Sequence, residues 1–366
     1  TLATVFWLIF EPSSALNVFT SVLIIACPCA IALAAPFTLG NMLRIFGKHK
    51  FYLKNTNVIE RLSQIDAAIF DKTGTLTTNI KDTIHYEGME LSEEETALLK
   101  TTLRASNHPL SRSLYDILKS NAIMTLEEFQ EHTGKGIEGK YNEHSIKVGS
   151  ASYVGESRSN TLTNTTVYVS ADEDVKGRFV FKNTYREGMS QIFDELSDNL
   201  ELGILSGDND GEKAELQKVL PEKTTMLFDQ KPENKLEYIK QLQEKHKVLM
   251  VGDGLNDAGA LAQSDVGLAV SENINVFSPA CDGILDASKL RMLPKFIKLS
   301  RRSMRIIKMS FLLSLCYNVV GLYFAVTGQL QPVIAAILMP LSSISIVVFT
   351  TVATNYFGKK LKNKQS

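Results

Sequence analysis

The run Asp71-Lys72-Thr73-Gly74-Thr75-Leu76-Thr77 sets a carboxylate beside an ammonium and three hydroxyls, at the end of the largely apolar stretch 65–70. A carboxylate in that position can attack the terminal phosphate of ATP if a cation and hydrogen-bond donors screen the approach of two anions. Leu205-Ser206-Gly207-Asp208-Asn209 closes a second apolar stretch and offers a phosphate one hydroxyl and several backbone donors. Lys235, in Pro232-Glu233-Asn234-Lys235, supplies a cation. Gly252-Asp253-Gly254-Leu255-Asn256-Asp257 follows a third stretch, 248–251, and adds two carboxylates. Mg²⁺ suits this inventory, because it prefers carboxylate oxygen and substrate phosphate to a full protein cage. A different chemistry stands at Cys27-Pro28-Cys29: two thiols around a residue that removes a backbone donor and kinks a helix. Thiolates favour Cu(I) and also suit Zn²⁺.

These groups need elements to hold them. Strand-like and helix-like runs alternate through the middle of the chain, an α/β pattern, and open α/β sheets bind ligands at the C-terminal ends of their strands. Asp71, Ser206 and Asp253 all follow such strands. The ends of the chain are another material. Stretches 15–46, 306–326 and 333–353 are long and apolar enough to span a bilayer, which takes about 20 residues per helix. Arg44, Lys48, Lys50 and Lys54 follow the first, six Lys/Arg between 295 and 308 precede the second, and Lys359, Lys360, Lys362 and Lys364 follow the third. Excess Lys/Arg marks the cytoplasmic side. All three clusters then lie on one face, the polar middle is cytoplasmic, and the uncharged loop 328–332 is an outer hairpin.

Composition narrows the classes further. The chain has 366 residues, with 39 Lys+Arg against 40 Asp+Glu, so a nucleic-acid binder with its basic excess is disfavoured. Four cysteines in a chain of this size make no disulfide framework. A mean hydropathy near zero averages apolar ends with a charged centre.

Taken in order, these motifs resemble those of heavy-metal-transporting P-type ATPases of the haloacid dehalogenase superfamily, copper branch, C-terminal half. The resemblance implies a Rossmann-like haloacid dehalogenase-type phosphorylation domain (55–80 and 182–292) with an inserted α+β nucleotide-binding domain (81–181). Transmembrane helices flank it, in 1–54 with the Cys-Pro-Cys helix and in 293–358, and a basic tail follows at 359–366. It implies Asp71 as the phosphorylated nucleophile, Ser206 as a phosphate ligand where Thr is usual, Lys235 as the neutralising cation, and Asn256 and Asp257 as completing the site. Asp71, Thr73 and Asp253 would hold Mg²⁺. His108, in Ser106-Asn107-His108-Pro109-Leu110, would hold the adenine of ATP, with Gly134, Gly136 and Gly149 letting backbone approach the nucleotide and Thr73 also touching it.

The membrane residues then name the cargo. Tyr317-Asn318 and Met339-Pro340-Leu341-Ser342-Ser343 resemble copper-branch signatures, so Cys27, Cys29, Tyr317, Asn318, Met339 and Ser343 are the expected Cu(I) residues, with Ag(I) a second ion. Cys316, next to Tyr317, could join the sulfur site, but the expectation is that it packs as a small apolar side chain. The zinc/cadmium branch carries an intramembrane Lys and Asp, which these spans lack. Soluble phosphatases of the superfamily have a second Asp two residues after the nucleophile; here that residue is Thr73, which favours a pump over a membrane-anchored phosphatase. Leu103, Asn183 and Gly259 depart from the usual residues. The expected setting is a bacterial plasma membrane, with copper handed over by a chaperone, lipid as the surround and no nucleic acid. Thr1 opens inside an apolar run and no Thr-Gly-Glu occurs, so we expect a piece of a longer protein without its actuator domain.

Overall fold

The computed structural model describes residues 2–78, 84–120, 122–132, 134–156, 165–181, 184–254, 256–272 and 280–361. Along the chain it places α1 (Leu2–Phe10), α2 (Pro12–Ile25), α3 (Cys29–Lys48), β1 (Phe51–Leu53), α4 (Asn57–Gln64), β2 (Ala67–Asp71), β3 (Ile84–Gly88), α5 (Glu93–Ala105) and α6 (Pro109–Ile117). Next come β4 (Glu128–His132), β5 (Gly136–Tyr141), β6 (His144–Gly149), α7 (Ala151–Val154), β7 (Thr165–Ala171), β8 (Asp174–Phe181), α8 (Met189–Ser197), β9 (Glu201–Leu205) and α9 (Lys213–Val219). The chain ends with β10 (Thr225–Leu227), α10 (Pro232–Leu242), β11 (Val248–Gly252), α11 (Ala258–Gln263), β12 (Val266–Ser271), β13 (Gly283–Asp286), α12 (Leu293–Val326) and α13 (Pro332–Lys359). It forms two compact units, Thr1–Asp71 with Gln191–Gly203 and Lys231–Ser366, and Lys72–Ser190 with Ile204–Gln230.

A seven-stranded sheet has the order β1-β13-β12-β11-β2-β9-β10. Its centre is parallel: Val248–Gly252 of β11 pairs with β2 on one side and with β12 on the other. Strands buried on both faces should read as continuous apolar runs. β2 and β11 do, with every residue buried. That burial carries Asp71 inward with its strand, because it is the last residue of β2.

The first unit also holds the membrane helices. Among the described residues three segments are long and apolar enough to cross a bilayer: Pro12–Lys48, Ala287–Val326 and Pro332–Lys359. The first is broken between α2 and α3 at 26–28, where Pro28 cannot donate to the preceding turn. α12 runs well below the apolar stretch 306–326, starting at Leu293. Its small buried residues Ser303, Ser310 and Ser314, with Ala30 and Ala34 of α3 and Thr350 and Thr354 of α13, leave room for close helix packing.

The second unit contains a six-stranded sheet of order β3-β8-β7-β6-β5-β4, antiparallel throughout. Leu98, Leu99 and Leu103 of α5 and Leu114 of α6 pack on its apolar face against Ile137, Ile146, Val148 and Phe179. α5 begins with a capping box between Ser92 and Glu95. Leu103, one of the departures, is thus a core residue. Asn183 and the tail after 361 lie outside the described residues.

Candidate functional site

In the first unit, Lys235 Nζ lies 2.5 Å from Asp71 Oδ1 and 2.8 Å from Asp257 Oδ1. α10 delivers Lys235 from its first turn, and Asp257 stands at the start of α11, after β11. All three side chains are buried. Asp253, at the end of the same strand, accepts from the Asn256 backbone N–H and from Asn256 Nδ2, both at 3.2 Å. Two carboxylates therefore share one ammonium, and Asp253 adds a third negative charge to the cluster. Burial, and then the Asp257 charge, push Asp71 up to about 7, with Lys235 acting in the opposite direction and Asp253 adding to the rise. Asp257 is raised too, chiefly by burial. Burial works against the charge on Lys235, yet Asp71 and Asp257 outweigh it and its pKa is raised.

That excess of negative charge suits a divalent cation. Asp257 Oδ2 is buried and has no hydrogen-bond partner, a gap that a cation or its water would fill. Among the described residues no group of three His, Cys, Asp or Glu side chains could hold a metal alone. Mg²⁺ fits this, since it takes one or two carboxylates and completes its shell with phosphate and water.

In the second unit the chain continues from Asp71 into a tight turn, Lys72–Leu76, in which Gly74 takes φ +74°. Only glycine adopts that backbone conformation without strain. The Gly74 N–H donates to Thr77 Oγ1 at 3.1 Å, and the Thr77 N–H to the Lys72 carbonyl at 3.1 Å. Thr73 Oγ1 donates to Asp208 Oδ2 at 3.0 Å. Ser206 is buried, and its Oγ accepts from the Asp208 N–H at 3.0 Å. Lys72 is buried between Asp208, 2.8 Å away, and Glu212, 3.0 Å away. The Tyr185 hydroxyl donates to Glu212 Oε2 at 2.7 Å; burial, then this bond, hold the phenol above its ordinary pKa, so it remains a donor. Motif reading missed Glu212 and Tyr185 altogether.

The same unit has a cavity of about 340 Å³ whose wall includes His108, Gly134, Gly136 and Gly149. His108 caps α6: its Nδ1 accepts from the Leu110 N–H at 3.3 Å, which leaves Nε2 as the nitrogen open to a ligand. Gly136 and Gly149 face each other across β5 and β6, and a Cβ on Gly149 would lie 2.3 Å from the Lys135 carbonyl oxygen. The close backbone approach at these two glycines is thus to the neighbouring strand. Lys135, between the two glycines 134 and 136, and Glu131 also line the cavity, and no motif had pointed to Glu131. Glu131 is tied in by Ser106 Oγ, which donates to it at 3.3 Å and accepts from the His108 N–H at 3.1 Å.

Among the membrane helices, a cavity of about 550 Å³ brings Tyr317, Asn318 and Met339 together with Cys316 and Ser342. Cys316 is exposed on that wall rather than packed as a small core residue. Ser343 is absent from the wall; its Oγ donates to the Met339 carbonyl at 3.3 Å. Cys27 and Cys29 are exposed at the helix break, and of that region only Ile25 reaches the cavity. The six expected copper residues are therefore gathered only in part.

The chain is similar in sequence and in fold to known proteins. The chain is 30% identical over 343 residues to a copper-exporting P-type ATPase of Staphylococcus haemolyticus (strain JCSC1435), covering 89% of this chain and 43% of that protein. It is 30% identical over 355 residues to the protein of the same name from Staphylococcus aureus (strain MRSA252), covering 92% and 44%. The chain thus spans less than half the length of these curated relatives. A zinc-transporting PIB-type ATPase in its E2.Pi state superposes with a TM-score of 0.68 at 24% identity, over 91% of this chain and 56% of that one, and shows the shared fold. The catalytic domain of the CPx-ATPase CopB-B, in a structure concerned with nucleotide binding, matches with a TM-score of 0.52 at 27% identity over 70% of this chain and 98% of its own. The membrane-capable helices and these relatives together make this a membrane protein with cytoplasmic catalytic domains. A family model described as haloacid dehalogenase-like hydrolase matches residues 65–265, more than half of the sequence, and the chain belongs to that family.

Proposed function

We propose that this chain carries the catalytic and C-terminal membrane part of an ATP-driven pump that exports Cu(I) through a phosphorylated Asp71. One observation carries the reading: a buried Asp71 paired with Lys235 at a strand end, in the same polypeptide as a membrane helix broken at Cys27-Pro28-Cys29. In the step proposed, an Asp71 carboxylate oxygen bonds to the γ-phosphorus of ATP while the bond from that phosphorus to the ADP oxygen breaks. Lys235 neutralises charge on the transferring group and keeps Asp71 and Asp257 from repelling each other. Asp71 and Asp253 would hold Mg²⁺, which when bound supplies charge screening between the two anions. His108 and the cavity around it would seat the adenine.

Thr73 bears on the fate of the acyl phosphate. Its hydroxyl, which donates to Asp208, is far too weak a base to activate water as a carboxylate at that position would, so the phosphorylated state persists long enough to be coupled to transport. Cys27, Cys29 and Met339 are soft donors, and the apolar segments 309–326 and 332–358 contain no charged residue. Two thiolates and a thioether suit a monovalent d¹⁰ ion, whereas Zn²⁺ usually takes four donors. The proposed setting is a bacterial plasma membrane.

The test is made in the full-length protein. Asp71→Asn should abolish the acid-stable, hydroxylamine-sensitive phosphoenzyme, while Cu(I) and Ag(I), but not Zn²⁺ or Cd²⁺, should stimulate ATP hydrolysis in the parent. Undiminished labelling in the Asn variant would overturn the nucleophile. Zinc-stimulated turnover would overturn the cargo and leave the phosphoryl chemistry standing.

A further inference from the structure

Lys72 follows the proposed nucleophile directly, and its ammonium is buried, so it must be paired. It has two carboxylate partners of different kinds. Asp208 belongs to the phosphate-loop motif, also accepts from Thr73 Oγ1, and its side chain is 41% exposed. The Glu212 side chain is only 8% exposed, and a single oxygen, Oε2, accepts from both Lys72 Nζ and the Tyr185 hydroxyl. Asp208 is placed to exchange partners with a ligand, and Glu212 is not.

Tyr185 lies on the chain that returns from the last strand of the six-stranded sheet. That returning segment is fastened to the outgoing one. Thr77 and Tyr185 form an antiparallel bridge, the Thr78 N–H donates to the Thr184 carbonyl at 2.8 Å, and the Arg186 N–H donates to the Leu76 carbonyl at 2.8 Å. Arg186 also donates from Nε to the Thr75 carbonyl at 2.9 Å and from a terminal nitrogen to the Gly74 carbonyl at 3.3 Å. Both connections to the six-stranded sheet therefore pass through one hydrogen-bonded crossing, and the phenol of that crossing reaches the counter-ion of Lys72.

We infer that Tyr185 and Glu212 form a positioning pair that fixes Lys72, and with it the turn 72–76 beside Asp71, to the chain returning from the six-stranded sheet. Glu212 is the standing counter-ion of the lysine, so Asp208 is free to leave it when a phosphate or its cation arrives. Motion of the returning segment is then felt at the turn through one hydroxyl and one carboxylate. Neither residue touches substrate; both act through Lys72. The inference rests on the reading of Asp71 as phosphoryl acceptor.

The experiment compares Tyr185→Phe, Glu212→Gln and the double variant in the full-length protein. Each single change should lower the single-turnover rate of phosphoenzyme formation from ATP by about tenfold, the order of a lost hydrogen bond to a charged group. The ATP concentration giving half the maximal rate should stay within about twofold. The double variant should be no slower than Glu212→Gln, because two members of one relay are not additive. Amide hydrogen exchange across 72–78 should quicken in both single variants, a readout that needs no turnover. Unchanged exchange with a rate within twofold of the parent overturns the pair. So do additive losses, or an ATP requirement that rises in step with the rate loss. A parent that forms no phosphoenzyme defeats the acceptor reading, and exchange then still decides whether the pair fixes the turn.

Discussion

Lys235 is the side chain on which the acidic cluster depends. Removing one partner of a buried charge pair leaves the other uncompensated, at a cost of about 3–5 kcal/mol. Here one ammonium serves two carboxylates. Lys235→Ala should force Asp71 or Asp257 to take up a proton at neutral pH, and a protonated Asp71 is a poor nucleophile. Phosphoenzyme formation from ATP should fall by at least about 100-fold; a fall below tenfold would show that Lys235 does not act on the reacting groups. Motif order pointed to Asp71, Lys235, Asp253 and Asp257, because each stands in a short polar motif and the motifs follow one another in a fixed sequence. The structure brings Asp71, Lys235 and Asp257 into contact. The contacts of Lys72, Glu212 and Tyr185 were not legible in this way. Their partners lie 140 and 27 residues apart, and nothing in local spacing announces a contact formed only when strands and turns are assembled.

Glycines in the six-stranded sheet show how an element can demand a residue for a reason the motif does not state. Gly149→Ala would drive a methyl into the Lys135 carbonyl and the Gly136 Cα, at 2.3 and 2.7 Å, and backbone cannot move aside cheaply. The β5–β6 pairing should open there, weakening ATP binding by more than tenfold while leaving phosphorylation by inorganic phosphate in place. Gly134→Ala meets no atom within 4 Å and faces only its φ of +74°, a strain of about 1–2 kcal/mol; ATP binding measured side by side should change by less than tenfold. Equal effects would mean that both glycines serve the ligand directly. The membrane elements were legible to the extent that apolarity alone defines them. Three spans stood out, but α12 begins at Leu293, among basic residues that hydropathy assigns to water. Its amphipathic lower turns are held by Phe296, which meets Phe46 and Phe51 with ring centroids 5.2 and 4.8 Å apart.

That lower part of α12 gives the first unit its continuity. The helix has 34 residues, roughly 51 Å at 1.5 Å per residue, against a hydrocarbon core of about 30 Å. The excess length stands outside the bilayer, and Arg301 on it donates to the Ile65 carbonyl at 2.8 Å, just before the strand that ends in Asp71. The sheet and the membrane helices are thus joined by rigid structure as well as by chain. The joint also fixes a direction across the membrane, because the α12 end beside the sheet carries Lys295, Lys298, Arg301, Arg302 and Arg305, and the opposite end turns back through 328–331 without a charge. There Trp7 Nε1 donates to the Val326 carbonyl at 2.9 Å, an indole at the kind of interface aromatic residues prefer. In a full-length protein whose cysteines are all replaced by serine, a cysteine introduced as Gln329→Cys should react with a membrane-impermeant thiol reagent added to intact cells. One introduced as Glu90→Cys should react only in inside-out vesicles. The reverse pattern would place the phosphorylation sheet outside, away from ATP, and no pump of the proposed kind could work in that orientation.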